Sequence, residues 1–519
     1  MNFNETEERV ILGSCGWRDA ESGATPKVVM QYPEEKWDAS SIQLSGLRLP
    51  YFHLEMKHAL LRGIAKLWVG TRGSLVRQGA PTDERAARPY LPTSSNDFFD
   101  VFCSALIFMI LCAPLLIASE VKIESAAQGQ HRLLRDDQPY LVKGANWPTV
   151  ATIEALVAAG GNSIRTYHDE VEWMLPLAKK HRLSLMFGLH IGRERQYFDY
   201  ENPEAVAAQL ETIRATVRKY KNEPEVLFWA IGNESELKAK KTIPLWKAVN
   251  DIARMIHEED PHHPVVTVIA GFDEKKIREL IDYCPDLDAL GVNWYGPATQ
   301  WPQNLVKFGW KKPYLLTEFG PNGYWPGAEG GGMTQWGAPI EQNSAAKARL
   351  YADNWRDAVL AQPGQSFGGY AFIWGQKQER TNTWFSMHLF TGERTPMVDA
   401  MQEVWTGHPP KNPAPEILEV APVSGTFAPG EIIPVTCRWT CNRPTKLTVS
   451  TYAESLANET GGDKEIAPKL LPKTVWQHRA DTIEITAPDQ PGNYRVFLQI
   501  TTDDHTAATA NIPIQIQTK

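Results

Sequence analysis

Between residues 128 and 408, short apolar runs alternate with stretches whose apolar residues recur at helical spacing. The short runs predict strands buried on both faces, and the helical spacing predicts amphipathic helices. The predicted strands are Tyr140–Ala145, Asn162–Tyr167, Ser184–His190, Val226–Asn233, Val265–Ala270, Ala289–Tyr295, Tyr314–Glu318 and Gly368–Trp374. The clearest predicted helices are Thr152–Ala159, Val171–His181, Glu204–Tyr220, Pro244–Glu258, Lys275–Tyr283 and Ser344–Leu360.

Strands that alternate with helices predict a parallel sheet. Eight such strands in 128–408 fit a closed (β/α)8 TIM barrel, which typically takes about 250 residues. An open, doubly wound sheet is the alternative, but no glycine-rich dinucleotide-binding motif follows the first strand. The predicted fold class is therefore α/β, with a TIM barrel over 128–408.

The C-terminal part has a different pattern. Residues 409–416 are rich in proline and predict a linker. Within 417–519, short runs with period-two alternation are separated by Pro-Gly turns, which predicts a small all-β, immunoglobulin-like sandwich. Its predicted strands are Ile432–Trp439, Lys446–Tyr452, Thr482–Thr486, Tyr494–Thr501 and Ala508–Ile516.

The N-terminal part lacks a globular pattern. Residues 1–95 show no sustained periodicity and are predicted to be disordered or a non-native extension. Within 96–127, the apolar run 101–117 is at the lower limit for a spanning helix and slightly long for a signal peptide. We therefore expect a signal peptide or a membrane anchor, with a buried core helix as a third alternative. The mature chain is expected to begin between Ser119 and Gln130, and to be secreted, periplasmic or at the cell surface.

Composition narrows the choice of partner. The chain has 519 residues and a net charge of -8, and it has no basic stripe, so nucleic-acid binding is not expected. The six cysteines fit neither a disulfide framework nor a zinc pattern. No cofactor motif and no cluster with metal-ligand spacing is present. The 18 tryptophans favour a sugar ligand only slightly, because tryptophan is also a common core residue.

Two glutamates end predicted barrel strands. Glu234 ends the fourth strand, in Val226-Leu-Phe-Trp-Ala-Ile-Gly-Asn-Glu, and Glu318 ends the seventh, in Pro313-Tyr-Leu-Leu-Thr-Glu. Barrel enzymes place catalytic groups at the C-terminal ends of their strands. One such glutamate is more often a structural residue, but two that meet in one pocket suit glycoside hydrolysis.

Several motifs resemble the catalytic barrel of glycoside hydrolase family 2, a family of clan A retaining glycosidases. Trp-Ala-Ile-Gly-Asn233-Glu234-Ser resembles the acid/base motif after strand four, and Leu-Leu-Thr-Glu318-Phe-Gly resembles the nucleophile motif after strand seven. Three further positions resemble the family's arginine, tyrosine and tryptophan sites: Arg165 in Asn-Ser-Ile-Arg-Thr-Tyr, Tyr295 in Gly-Val-Asn293-Trp-Tyr, and Trp374 at the end of strand eight.

The resemblance implies a role for each of these residues. Glu318 is the expected nucleophile, with its negative charge stabilised by Arg165 and Tyr295. Glu234 is the expected acid and then base, and burial together with the charge of Glu318 is expected to raise its pKa. Asn233 is expected to bind the sugar 2-hydroxyl. Asn293 and Trp374 complete the expected substrate-binding set, with Trp374 as the platform under the sugar ring.

Three rim features extend this candidate site. His190 ends the third predicted strand on the same face of the barrel. A glycine-rich loop follows Glu318 and carries Trp325, a candidate to line the substrate site or to act as a mobile flap; an ordered rim without sugar contact is the alternative. The segment 376–384, after strand eight, is predicted to lie on the same rim.

The resemblance leaves several functions open. Family 2 enzymes usually carry sandwich domains before the barrel, whereas the predicted sandwich here follows it. An open cleft acting on a glucan chain is therefore as plausible as an exo-acting pocket. We predict a retaining β-glycosidase for a β-linked, mainly equatorial sugar such as glucose or galactose. The alternatives are a glucan transglycosylase, a non-catalytic surface carbohydrate-binding protein and a membrane-anchored partner of a polysaccharide synthase.

Overall fold

The computed structural model describes residues 119–125, 129–168, 170–328, 330–457 and 465–518. The predicted N-terminal extension, 1–95, and the apolar run 101–117 lie outside the described residues. Among the helices that are described, none is long and apolar enough to cross a membrane.

A small antiparallel sheet precedes the barrel. It consists of β1 (Val121–Ser125), β2 (His131–Arg135) and β3 (Gln138–Pro139). The backbone N–H of Val121 donates to the carbonyl of His262, and that of His131 donates to the carbonyl of Gly364. Both acceptors precede barrel strands, so the sheet covers the N-terminal face of the barrel. The segment predicted as a leader, 96–127, therefore overlaps a strand of the folded domain.

Eight parallel strands form a closed barrel, which confirms the predicted fold class. In chain order the barrel strands are β4 (Val142–Asn146), β5 (Ser163–Arg165), β6 (Ser184–Leu189), β7 (Val226–Ile231), β8 (Val265–Ala270), β9 (Ala289–Tyr295), β10 (Tyr314–Gly320) and, after the short β11 (Gly332–Met333) and β12 (Pro339–Ile340), β13 (Ser366–Ala371). The last strand, β13, pairs with both β10 and β4 and so closes the barrel.

The helices surround these strands. They are α1 (Ile153–Ala158), α2 (Val171–His181), α3 (Pro203–Tyr220), α4 (Thr242–Glu259), α5 (Glu274–Tyr283), α6 (Trp301–Lys307), α7 (Ser344–Trp355), which continues as a π-helical turn over Arg356–Leu360, and α8 (Pro396–Thr406), with a 3-10 turn over Glu194–Gln196. The sequence patterns had not indicated α6 or α8. Asn202 and Asp273 cap α3 and α5 by accepting backbone N–H groups with their side chains, which supports the start of each helix.

Two apolar layers hold the barrel together. The inner layer fills the barrel with side chains such as Met186, Phe228 and Leu315, and it reaches Val121 in the small sheet below. The outer layer packs strands against helices and includes Trp229 and Trp246. Because the interior is filled and the N-terminal face is covered, the C-terminal face is left for a site.

The C-terminal strands form two packed sheets, as predicted for a sandwich. The strands are β14 (Glu416–Ala421), β15 (Gly425–Phe427), β16 (Ile432–Thr440), β17 (Lys446–Ala453), β18 (Trp476–Arg479), β19 (Thr482–Thr486), β20 (Gly492–Thr501) and β21 (Ala507–Ile516). One sheet has the order β14-β16-β19-β18 and the other β15-β21-β20-β17. Apolar side chains of both sheets form one core. The β15–β21 pair is parallel, whereas the other strand pairs of these two sheets are antiparallel.

Candidate active site

A pocket of about 760 Å³ opens at the C-terminal ends of the barrel strands. This volume lies within the ~300–1,000 Å³ that is usual for small-molecule sites. Seven of the predicted site residues line it: His190, Asn233, Glu234, Asn293, Tyr295, Glu318 and Trp325. Arg165 does not line the pocket but contacts Glu318, which does. Trp374 does not line the pocket either.

Glu318, on β10, is held by donors on both carboxylate oxygens. Its Oε1 accepts from Arg165 Nη1 at 3.1 Å and from the Tyr167 hydroxyl at 2.8 Å. Its Oε2 accepts from the Tyr295 hydroxyl at 2.5 Å. The side chain is buried except for its contact with the pocket. A cation and two hydroxyl donors together stabilise the carboxylate form.

Arg165, on β5, is almost completely buried. Besides Glu318 it donates to the Thr317 carbonyl at 2.8 Å and to Asn233 Oδ1 at 2.7 Å. Its guanidinium also lies 4.4 Å from the centre of the Tyr167 ring. The predicted contact between Arg165 and the candidate nucleophile is present, and the same cation also orients Asn233.

Glu234 follows β7 in a turn with unusual backbone geometry. Gly232 has φ +68°, and a Cβ at this position would lie 2.7 Å from Ser235 Oγ. Glu234 itself has φ +50°, a left-handed conformation that is uncommon for residues other than glycine. The turn brings the carboxyl group into the pocket beside Glu318.

The surroundings of Glu234 favour its protonated form. Burial, and next the negative charge of Glu318, raise the pKa of Glu234 to about 8. Asn293 Nδ2 donates to Glu234 Oε1 at 2.9 Å and acts in the opposite direction, because this bond stabilises the carboxylate. The predicted upward shift of the pKa is therefore present.

Asn233 and Asn293 link the two carboxyl groups. Asn233 Oδ1 accepts from both Arg165 Nη2 and Asn293 Nδ2, at 2.7 and 3.1 Å. Asn293 Oδ1 accepts from the Thr317 hydroxyl at 2.8 Å. Since the oxygen of Asn233 already has two donors, its NH2 group is the part that suits a ligand acceptor.

His190 and Trp325 lie on the rim where the sequence placed them. The His190 ring lies 4.8 Å from the His168 ring, measured between centroids. Trp325 is 38% exposed and meets the Tyr295 ring edge-on at 5.6 Å. Both side chains line the pocket, so both can contact a bound molecule.

The prediction that Trp374 forms the platform under the sugar ring is wrong. Its side chain is fully buried, its indole N–H donates to the Thr152 carbonyl at 3.1 Å, and its ring stacks on Trp405. The strand β13 ends at Ala371, so the alternation of faces along a strand no longer applies at position 374. Phe372 lines the pocket instead.

Some pocket residues were not singled out in the sequence. Tyr167 lies two residues after Arg165 in the predicted second strand, and burial together with the charge of Glu318 raises its pKa well above the usual value. Lys377 and Glu379 come from the rim segment 376–384, and Lys377 Nζ lies 2.6 Å from Glu379 Oε2. No group of His, Cys, Asp and Glu side chains able to hold a metal ion occurs within the part of the chain that the structure describes.

Comparison with known proteins points to one family. Residues 177–406 match the family described as glycosyl hydrolases family 2, TIM barrel domain. The chain is 26% identical over 183 residues to a β-glucuronidase of Paenibacillus borealis, a region that covers 31% of this chain and 29% of that protein.

Two solved structures are among those similar to this chain. A family 2 β-galacturonidase from Eisenbergiella tayi, bound to galacturonate, has 17% identity and a TM-score of 0.42, with coverage of 56% of this chain and 54% of that one. A putative β-galactosidase from Bacteroides fragilis has 12% identity and a TM-score of 0.44, with coverage of 78% and 58%. This chain thus spans less than a third of the curated relative and a little over half of each of these structures.

Proposed function

We propose that this chain, which carries the TIM barrel domain of glycosyl hydrolase family 2, is a β-glycosidase that cleaves its substrate with retention. Glu318 is the nucleophile and Glu234 the acid and then the base. One observation carries this proposal: two carboxyl groups share a pocket but have opposite surroundings. Glu318 accepts three hydrogen bonds, one of them from a cation, whereas the pKa of Glu234 is raised to about 8.

In the first step, a Glu318 carboxylate oxygen forms a bond to the anomeric carbon while the bond from that carbon to the leaving oxygen breaks. The proton of Glu234 passes to the leaving oxygen, so the aglycone departs as a neutral alcohol. The product is a glycosyl ester on Glu318.

In the second step, Glu234 acts as a base. It takes a proton from water while the water oxygen bonds to the anomeric carbon and the ester bond to Glu318 breaks. Two inversions give net retention, and both carboxyl groups return to their starting states. Asn233 supports both steps, because its NH2 group can donate to the sugar 2-hydroxyl, a contact that strengthens in the transition state.

The substrate we propose is a β-linked, neutral, mainly equatorial sugar such as glucose or galactose. Phe372 and Trp325 offer apolar ring faces to the pocket, which suits the apolar face of such a sugar. The positive charge of Lys377 is matched by Glu379 at 2.6 Å, so this pair suits hydroxyl groups better than a substrate carboxylate. The named relatives include enzymes for uronic acids, so aryl β-glucuronides are the necessary comparison substrates.

NMR of the first-formed product tests this proposal. Incubation with aryl β-glucosides, β-galactosides, β-mannosides and β-glucuronides should release the β-anomer first from a neutral sugar. An α-anomer as first product would defeat the mechanism, and activity confined to glucuronides would defeat the substrate class. Transfer products with added oligosaccharide would indicate a transglycosylase, and binding without turnover would indicate a carbohydrate-binding protein.

We also propose that the chain acts outside the cytoplasm, after removal of a leader. The apolar run 101–117 and the small residues that follow it support this proposal. Membrane attachment through the same run is the alternative outcome. The mass of the protein from the native host distinguishes removal of this run from its retention.

A further inference from the structure

Charged and polar side chains are buried where the barrel meets the sandwich, and we name this set the interface network. Its members from the barrel chain segment are Glu341, Lys347, Thr381 and Thr383, and its members from the sandwich are Glu454, Arg495 and Asn511. None of these residues takes part in the proposed reaction. The network therefore calls for another explanation.

Arg495, on β20, is the centre of the network. Its Nη1 donates to Asn511 Oδ1 at 2.7 Å, and its Nε donates to Glu454 Oε2 at 3.1 Å. Its Nη2 donates to the Pro339 carbonyl at 2.8 Å. Pro339 begins β12, in the connection that follows β10, the strand that carries Glu318. One sandwich arginine thus binds a loop of the active face directly.

Glu341 extends the network to the next loop. Its Oε2 accepts from Asn511 Nδ2 at 2.5 Å and from the Thr381 hydroxyl at 2.6 Å. Its Oε1 accepts from the Thr383 hydroxyl at 2.8 Å and also from the ammonium of Lys347. Thr381 and Thr383 lie after β13. The loops after the last two barrel strands are therefore fixed to the same group of sandwich residues.

The segment 377–383 forms a hairpin whose two sides face different partners. Its backbone pairs Glu379 with Thr381, and Arg380 at the tip has φ +61°. Arg380 Nη2 lies 3.4 Å from Glu454 Oε1, and the Arg380 N–H donates to Glu465 Oε2 at 2.7 Å. On the other side, Lys377 and Glu379 line the pocket.

Holding the barrel and the sandwich together does not by itself account for this arrangement. Buried ion pairs often contribute no more stability than apolar side chains of the same size, because desolvation offsets their attraction. What they impose is a defined geometry, since each donor has a fixed direction. Within 377–383, the backbone–backbone hydrogen bonds of the described residues join Glu379 and Thr381. The Lys377 N–H donates to Ser386 Oγ at 3.0 Å, outside this segment. Contacts beyond the hairpin therefore help to decide where Lys377 and Glu379 lie.

We propose that the C-terminal sandwich sets the wall of the sugar pocket through Arg495, which acts as a positioning residue for Lys377 and Glu379. The proposal rests on the proposed function only in that the pocket binds a sugar. Arg165, Tyr295 and Asn293 hold the two catalytic glutamates from other strands, so the network serves recognition of the sugar ring more than the chemical step.

The test compares Arg495→Met with Arg438→Met in the full chain. Arg438 is an exposed sandwich arginine paired with Glu419, so it is a matched control outside the network. With 4-nitrophenyl β-glucoside and β-galactoside, Arg495→Met should raise KM about fivefold, keep kcat within about twofold and change the preference between these epimers. Hydrogen exchange of the amides in 377–383 should become faster. The control should match the wild type in every measurement.

A second variant separates positioning from stability. Arg495→Met combined with Glu454→Met removes both partners of one buried ion pair, so it should recover much of the stability that the single change loses. KM and hydrogen exchange should remain altered. Wild-type KM and exchange in either folded variant would overturn the proposal. If the wild type hydrolyses no β-glycoside, the proposed function fails, while hydrogen exchange still decides whether Arg495 fixes the hairpin.

Discussion

The hydroxyl of Tyr295 donates a hydrogen bond of 2.5 Å to Oε2 of Glu318. Among the described residues, no other side chain donates a hydrogen bond to this oxygen. The other oxygen of Glu318 has two donors. One of these, Tyr167, also lies 2.8 Å from Asn146 Oδ1, and its single proton can serve only one acceptor at a time. The two tyrosines therefore differ in how firmly they bind Glu318, the proposed nucleophile.

Tyr295→Phe should lower kcat roughly tenfold to hundredfold, because a hydrogen bond to a charged group is worth about 1.5–3 kcal/mol. Tyr167→Phe should have a smaller effect, since Arg165 still serves Oε1. Steady-state kinetics of both variants on one aryl β-glycoside provide the measurement. Equal losses in the two variants would contradict the ranking of the two donors.

Glu234→Ala should retain activity on aryl glycosides with good leaving groups, because these need little protonation. Added azide should raise its turnover and give a β-glycosyl azide, since the small anion replaces the water that Glu234 would activate. Glu318→Gln is the contrasting variant and should be inactive on all substrates while it remains folded. Near-normal turnover by Glu318→Gln would show that the nucleophile is a different residue.

The rate should fall at alkaline pH. Glu234 must carry a proton to act as the acid, and its pKa is raised to about 8, so kcat/KM should decline as pH rises through that value. Asn293→Ala removes a hydrogen bond that stabilises the carboxylate, so the decline should move to higher pH. The pH profiles of kcat/KM for the two proteins supply the measurement. A shift towards lower pH would contradict the assigned environment of Glu234.

Trp374 and Phe372 should respond differently to substitution. Trp374→Phe should lower the free energy of unfolding by about 1–3 kcal/mol, because it removes a buried ring stacked on Trp405. Its KM should be unchanged. Phe372→Ala should raise KM, because Phe372 lines the pocket. Denaturant unfolding and steady-state kinetics of both variants provide the measurements. A raised KM in Trp374→Phe would restore Trp374 as the sugar platform.

The mature chain should begin close to Ser119. The Ser119 hydroxyl donates to the Val226 carbonyl at 3.2 Å, and Val121 is buried in the small sheet. Cleavage beyond Val121 would remove a strand that covers the barrel. Intact-mass measurement on protein from the native host tests this expectation, and a mass that includes residues 1–95 would contradict it.

The barrel was predictable because its strands are buried on both faces, so each one stands in the sequence as a short apolar run. The strands β8 and β9 begin and end where the apolar runs do. Glu234 and Glu318 were found for the same reason, since each lies at the C-terminal end of an apolar run, where barrel enzymes place catalytic groups.

Other parts of the site depend on geometry that a pattern does not contain. Tyr167 follows a strand of only three residues, Ser163–Arg165, so alternation could not indicate its direction. Trp374 and Phe372 lie beyond the end of β13 for the same reason. The contacts of Arg495 join positions far apart in the chain, and no local periodicity marks such a residue.

The left-handed backbone of Glu234 has a consequence for evolution. This residue combines an unfavourable backbone conformation with a carboxyl group that is displaced from water, and both lower the stability of the fold. Replacement of Glu234 by glycine would remove both the unfavourable backbone conformation and the buried carboxyl group. A lineage released from the need for this reaction would therefore gain stability by losing the glutamate, so the residue persists only where its chemistry is under selection.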